Sequence, residues 1–529
     1  MAATWEVDVN GLDRSNVLVL GEKQFDESQF IQRRLKITRV NVPDLLDENL
    51  LNTARGVLLA TWPGKFPLIK ELFYNHFERM CERGLLTAVL EEENKAQLIA
   101  IRNEVYSKLN LGKNFGDPGK QEEFFDQVPW VYVSEQAWQI AETLARHDPG
   151  PKLGSPTIIV TGNPATLDAK CEILLRRGFH DCKKIIIEHL RGGKTAKDTL
   201  RVHAEFEGHE YGPQPIPFFV KFGDPETIAY EKLQYQKLVE PFIPFHLRPA
   251  LSEIRSFTAL NCAALVCNFV ENAISLRDAL KAGHGDGAIY SLFEVTLRGL
   301  RSHTLHAPKR LGSLAPFFNL EKGRVRAAEL RRQFPERIEK LHALGVSQEP
   351  EDMEKSLVDL VQSIESRDGP YHGDPHVGNI MVRNRDAIVI DFGSMGPYGP
   401  LSADPAILEV SLVFGTDNGD DPKSFAEWRN FVDYIYDKPL APPLPNSNFH
   451  QFNWLYKAVR EVRHVVSCCG VGEIEALMVL AGCLIRFGRH SVLQMQNAEL
   501  DDLATSRRIY ALVVADSVCR RLKEYNASR

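Results

Sequence analysis

The sequence has little of what would send a chain to a membrane, out of the cell or onto nucleic acid. No apolar run approaches the roughly eighteen residues that span a bilayer; the longest, Ala476 to Ile485, reads as a buried helix. The start, Met1-Ala2-Ala3-Thr4-Trp5-Glu6-Val7-Asp8, has neither the basic stretch nor the apolar core of a secretory signal. Nine cysteines are scattered without Cys-x-x-Cys spacing, which argues against a disulfide framework or a zinc site and fits a reducing compartment. Cys468 and Cys469 are adjacent and read as core packing ahead of a redox pair. A net charge of −7 supplies no general pull toward nucleic acid. The expectation is a cytoplasmic protein with no membrane and no nucleic-acid partner. No internal repeat or low-complexity tract interrupts the chain, and 529 residues exceed one hydrophobic core, so two or three domains are expected.

The first part alternates strand and helix signals. Asn16 to Leu20, Ile37 to Val40, Gly56 to Thr61 and Leu85 to Leu90 are short apolar strands, with helical stretches over Phe66 to Arg83 and Glu92 to Leu109. A further strand and helix run through Thr157 to Thr161 and Thr166 to Arg177. Such alternation predicts a parallel sheet with helices on both faces. Its order and size resemble a response-regulator receiver domain. A receiver carries an acidic pair after its first strand and a phosphoacceptor Asp after its third, whereas Val19-Leu20-Gly21 and Leu59-Ala60-Thr61-Trp62 stand there. The resemblance therefore implies a pseudo-receiver that takes no aspartyl phosphate. Residues 146–156, rich in Pro and Gly, read as a surface loop or linker.

The densest chemistry lies in Tyr371-His372-Gly373-Asp374-Pro375-His376-Val377-Gly378-Asn379-Ile380-Met381-Val382, followed by Ala387-Ile388-Val389-Ile390-Asp391-Phe392-Gly393. Two short apolar strands joined by Arg383-Asn384-Arg385-Asp386 make a hairpin whose pairing brings Asn379 beside Asp391. Two oxygen donors at one end of a hairpin suit a hard divalent cation that keeps its other positions for water and phosphate. Asp374, five residues before Asn379, is available to accept a proton from an attacking hydroxyl. His372 and His376 have the spacing of a zinc pair, but Gly373 and Pro375 break the helix such a pair needs, and zinc is rejected.

This arrangement resembles the catalytic loop and Asp-Phe-Gly segment of the protein-kinase-like fold. His-Gly-Asp with Asn five residues on is the form seen in aminoglycoside phosphotransferases, choline kinases and fructosamine kinases. The resemblance implies that Asp374 is the catalytic base, that Asn379 and Asp391 hold magnesium, and that ATP is the phosphoryl donor. His372 is implied to order the loop; His376 either positions an acceptor or is simply exposed. Upstream, Arg191-Gly192-Gly193-Lys194 between two strand signals falls where the fold puts its nucleotide-covering turn, so Gly192 and Gly193 are candidates for close phosphate approach. Gly193-Lys194-Thr195 imitates the end of a Walker A loop, but Glu188 stands where its first glycine is required. Phe218-Phe219-Val220-Lys221 resembles the strand carrying the phosphate-binding lysine, with Glu231 the chosen ion-pair partner and Glu226 its competitor. Leu265 to Glu271 resembles the hinge, where the main chain of Asn268 and Val270 would meet adenine. Asp404 resembles the aspartate that steadies the catalytic loop in such enzymes, a simple helix N-cap being its minimum role.

The fold class expected is α+β: a two-lobed protein-kinase-like fold after an α/β receiver-like, flavodoxin-like domain. The divisions are 1–150 for that domain, 151–180 as a linker or its extension, 181–272 for the N-lobe and 273–529 for the C-lobe, whose helices would wall an acceptor pocket. A chain starting near His180 is expected to fold and bind ATP. Only Ser394 to Leu401 separate Asp391-Phe392-Gly393 from the Asp404 helix, and no Ala-Pro-Glu anchors a peptide platform, so a small-molecule hydroxyl acceptor is favoured. The alternatives are an atypical kinase of the ubiquinone-biosynthesis type, which lacks here the expected Lys-x-Gly-Gln, and a nucleotide-binding signalling module with little turnover. In the module, the first domain would dock a protein partner.

Overall fold

The computed structural model describes residues 14–21, 23–41, 47–60, 75–90, 131–161, 167–190, 198–208, 216–259, 262–285, 287–315, 317–318, 335–416, 420–444, 446–489 and 498–527. The chain forms two compact units, one of Met1–Lys232 with Ala250–Phe269, the other of Leu233–Pro249 with Val270–Arg529.

The first unit holds two sheets. Strands β1 (Asn16–Leu20), β2 (Lys36–Arg39), β3 (Ala54–Ala60), β4 (Leu86–Leu90) and β5 (Val131–Ser134) pair in parallel in the order β2-β1-β3-β4-β5. That is a doubly wound order. The central strands β1, β3 and β4 are near-continuously apolar and buried on both faces, as parallel strands require, with Val17, Val19, Leu58, Ala88, Ile140 and Leu144 in one core. Strand β5 and the helix Ala137–Arg146 gave no signal that the sequence reading used. Of the helix expected over 66–83, Phe77–Glu82 is helical and 66–74 lie outside the described residues, as does all of 92–109.

The second sheet runs β10-β9-β8-β7-β6, built of β6 (Thr157–Thr161), β7 (Cys182–His189), β8 (Asp198–Phe206), β9 (Phe218–Gly223) and β10 (Ala263–Asn268). The stretch 151–180, expected as a linker or as part of the first domain, instead contributes to this sheet. Strand β6 pairs in parallel with β7, and the helix Ala169–Gly178 covers one face with Cys171, Leu174 and Leu175 against Ile185, Ile187, Val202 and Val220. The Pro/Gly segment before it is gripped rather than loose. The Pro149 carbonyl accepts from Arg14 at 3.2 Å and Arg177 at 2.7 Å, and Arg177 also reaches the Glu82 carbonyl at 2.8 Å. Arg14 and Arg177 are both buried, so the seam between the two sheets is made of guanidinium groups whose terminal nitrogens donate to backbone oxygens. A start near His180 would remove β6 and the covering helix, and the expectation that such a chain folds is withdrawn.

In the second unit, β11 (Ile274–Ser275) joins β15 (Ile380–Arg383) and β16 (Asp386–Val389), β12 (Arg310–Leu311) pairs β13 (Glu365–Ser366), and β14 (Asp368–Tyr371) pairs antiparallel with β17 (Gly396–Pro400). Helices Ala403–Phe414, Asn453–Cys468, Glu473–Arg489 and Ala498–Ala527 make its bulk. Buried Arg463 ties the first two of these together through Glu409 at 2.8 Å. No helix among the described residues is long and apolar enough to cross a membrane.

Candidate functional site

The hairpin forms as its sequence predicts, with Ile380 opposite Val389 and Arg383 opposite Asp386. Asn384 and Arg385 both adopt positive φ, the geometry of a tight two-residue turn. Continuing the ladder by one step, the Ile390 N–H donates to the Asn379 carbonyl at 2.9 Å, which puts Asp391 at the same end as Asn379. Asn379 Nδ2 donates to the Asp374 carbonyl at 3.0 Å, so its amide is turned with Oδ1 as the end available to a cation. Asp391 has φ +61, a left-handed conformation uncommon outside glycine, of the kind that concentrates at working sites. Its Oδ1 accepts the Gly393 N–H at 3.4 Å. The chain thus offers two hard oxygen donors, matching magnesium's habit of keeping water and phosphate for its other positions.

The loop before the hairpin is held from behind. Asp404 accepts the N–H groups of His372 and Gly373, each at 2.9 Å. Asp404 is therefore more than the N-cap that was its minimum role; the cap position is Ser402. Burial pushes its carboxyl up from the usual carboxylate range, while His372, the two amides and Arg301 oppose the shift. Gly373 has φ +82, and a Cβ there would lie 2.2 Å from the Ser394 carbonyl oxygen, so both the backbone and the space demand glycine. The ring of His372 is fully buried; its Nδ1 accepts the Asp374 N–H at 3.4 Å, and it packs against Phe392 with centroids 6.0 Å apart. The enclosed ring thus makes its contacts to the loop itself. Phe392 also meets Tyr235 edge-on at 5.5 Å.

His376 is more exposed, with Nε2 3.9 Å from Asp374 Oδ2. Its Nδ1 accepts the Gly378 N–H at 3.0 Å, so in the neutral ring the proton sits on Nε2, toward Asp374. A contact that the sequence reading missed is Ser411, whose Oγ accepts the Val377 N–H at 3.0 Å. Ser411 lies two turns beyond Asp404 on the same helix face, a spacing that could have flagged it. After Phe392, the strand β17 is pinned to β14, and Tyr371 lies so close to Gly399 that a Cβ there would be 2.4 Å from the ring.

In the first unit, Lys221 Nζ is 2.9 Å from Glu231 Oε2, with both side chains buried. Pro225 begins the helix that carries Glu231, and of the two candidate carboxylates it is Glu231 that makes this bond. Strand β10 ends at exposed Asn268, whose N–H donates to the Ala250 carbonyl at 3.0 Å; the Phe269 N–H donates to Pro217 at 2.9 Å. Neither proton is available to a base, so the Asn268 N–H expected at the hinge is already committed to the fold. Gly192 and Gly193 lie outside the described residues.

Residues 292–425, which include Asp374, Asn379, Asp391 and Asp404, match the phosphotransferase enzyme family. Comparison with curated proteins found no match. Among solved structures the chain is similar to a thermostable mutant of aminoglycoside phosphotransferase APH(4)-Ia, with 12% identity over 63% of this chain and 94% of that one and a TM-score of 0.34. It is also similar to aminoglycoside phosphotransferase APH(3'')-Id from Streptomyces rimosus, with 15% identity over 54% and 96% and a TM-score of 0.28. A glucosamine kinase in complex with glucosamine, ADP and inorganic phosphate gives 14% identity over 67% and 86% and a TM-score of 0.31. The family match supports a kinase-type phosphotransferase; scores this low add nothing to it, and the finer reading rests on the residues.

Proposed function

We propose that the protein is an ATP- and magnesium-dependent phosphotransferase of the aminoglycoside phosphotransferase type that phosphorylates a hydroxyl of a small molecule. The observation that carries this reading is the hairpin, whose ladder ends with the Ile390 N–H on the Asn379 carbonyl, one residue before Asp391, while Asn379 Nδ2 is fastened to the backbone of Asp374. Asn379 and Asp391 would hold magnesium, which on binding neutralises phosphate charge. Asp374 accepts the acceptor's proton, and Lys221, aimed by Glu231, holds the α and β phosphates. The main chain of Val270 would face adenine, the Asn268 N–H being committed to Ala250, and Gly192 and Gly193 would admit the phosphates.

The acceptor is proposed to be compact because β17 is tied into a two-stranded pair within a few residues of Asp391, leaving no long segment as a peptide platform. The first sheet is proposed to be a pseudo-receiver that docks a protein partner; Val19, Leu20, Leu59 and Ala60, buried and apolar, stand where a receiver needs carboxylates. A cytoplasmic location follows the same reading.

The test separates two carboxylate roles. Asp391→Asn should lose magnesium-dependent ATP binding. Asp374→Asn should keep binding and lose about 10²- to 10⁴-fold in transfer, the usual contribution of a general base. A screen of hydroxyl-bearing metabolites with labelled ATP identifies the acceptor. Wild-type transfer by Asp374→Asn with that acceptor removes the base assignment.

A further inference from the structure

Strand β6 is the outer strand of its sheet, and among the described residues no strand pairs with its other side. Edge strands in soluble proteins are usually blunted by charge, proline or a bulge. Thr157-Ile158-Ile159-Val160-Thr161 has none of these: it pairs with β7 in unbroken register and contains no charged residue. Ile159 is 37% exposed and Val160 40%. Ile158, by contrast, packs against the core beneath the helix Ala169–Gly178. Val160 shares the Ile158 face by the two-residue period of a strand, yet stands open beside that core.

The strand also reads nearly the same in both directions, Ile158 and Val160 being the one mismatched pair. About Ile159, Thr157 mirrors Thr161 and Ile158 mirrors Val160, so an antiparallel copy would set Thr against Thr, Ile158 against Val160 and Ile159 against itself. Each of these is a favourable cross-strand pair, and no like charges meet. Val160 of each copy would then continue the other's Ile158 face and gain the cover it lacks. We propose that β6 is the seam of a two-fold symmetric homodimer, in which two five-stranded sheets join edge to edge through antiparallel β6 strands. The symmetry is isologous, as closed dimers require. A second copy is the occupant favoured over an unrelated strand because the chemical two-fold about Ile159 serves only self-pairing.

The test uses the full chain in sedimentation equilibrium or light scattering. The wild type should be a dimer in the micromolar range with a melting temperature that rises with concentration, and Val160→Lys, which puts a charge at an exposed position opposite Ile158, should be a monomer with the wild-type circular-dichroism spectrum and a melting temperature independent of concentration. In addition, Ile159→Cys should give a disulfide-linked dimer under mild oxidation, since directly opposed residues come within disulfide reach. Val160→Cys, opposed by Ile158, should give none beyond the wild-type background. A monomeric wild type overturns the proposal, as does a dimer that survives Val160→Lys or a cross-link that favours position 160 over 159.

Discussion

Replacing Gly373 by alanine tests how the loop before the hairpin is held. The residue sits at φ +82, and an added Cβ would be 2.2 Å from the Ser394 carbonyl oxygen. Carbon and oxygen atoms do not rest closer than about 3 Å, so a gap of nearly an ångström must open. The loop has little freedom to open it, because Asp404 holds the amides of His372 and Gly373 at 2.9 Å and neighbouring Phe392 is buried. A left-handed alanine costs roughly 1–2 kcal/mol, and forcing the methyl in costs about 1–3 more. A total near 3 kcal/mol lowers the melting temperature of a unit this size by about 6–12 °C. Shifting the loop by an ångström removes on the order of 10²-fold in turnover. Gly470→Ala is the control, since that glycine also has positive φ, +62, but nothing lies within 4 Å of its Cβ position, so only the smaller backbone cost applies. Calorimetry and labelled-ATP turnover read both variants. A Gly373→Ala protein that melts with Gly470→Ala and turns over like wild type refutes the reasoning.

Glu231→Gln removes the carboxylate charge 2.9 Å from the buried Lys221 ammonium, and breaking a buried ion pair costs up to about 3–5 kcal/mol; ATP affinity and melting temperature should both fall, and retention of both would remove the pair from the nucleotide site. Burial pushes the Glu475 carboxyl from 4.5 to about 7, opposed by Lys309 and Arg367. A folded value above the unfolded one gives stability that is present at acid pH and lost as pH rises from 4.5 through about 7, at most about 3 kcal/mol. Glu475→Gln should therefore raise the melting temperature at pH 8 and change it little at pH 5, and an equal shift at both counts against the titration. Deleting everything before His180 removes Cys171, Leu174, Leu175 and β6 from the second sheet, at about 2 kcal/mol per large apolar side chain; the remainder should expose its sheet, bind the dye ANS and melt without cooperativity, whereas a sharply melting, ATP-binding fragment contradicts this.

Local chemistry was readable without the fold. The two apolar strands around Asn384-Arg385 could pair only as a hairpin, which brings Asn379 toward Asp391, and the strand carrying Lys221 leads into a helix begun by Pro225. These features depend on neighbours a few residues apart, where backbone geometry leaves few choices. The parallel order β2-β1-β3-β4-β5 was foreseeable only as a class, because alternation of strand and helix states that strands are parallel without stating which lie side by side. What tertiary structure decided joins distant positions. Strand β6 went to the second sheet because the helix after it buries Leu174 and Leu175 there, a preference that its composition does not encode. The Pro149 turn became a seam because Arg14 and Arg177 converge on its carbonyl from 135 and 28 residues away. The N–H groups of Asn268 and Phe269 were committed because Ala250 and Pro217 supplied acceptors for them. Gly373 showed that it must be glycine only when the Ser394 carbonyl was brought against it. Spacing along the chain determines which groups can meet locally; the packing of a shared core determines which distant backbone groups come to satisfy them.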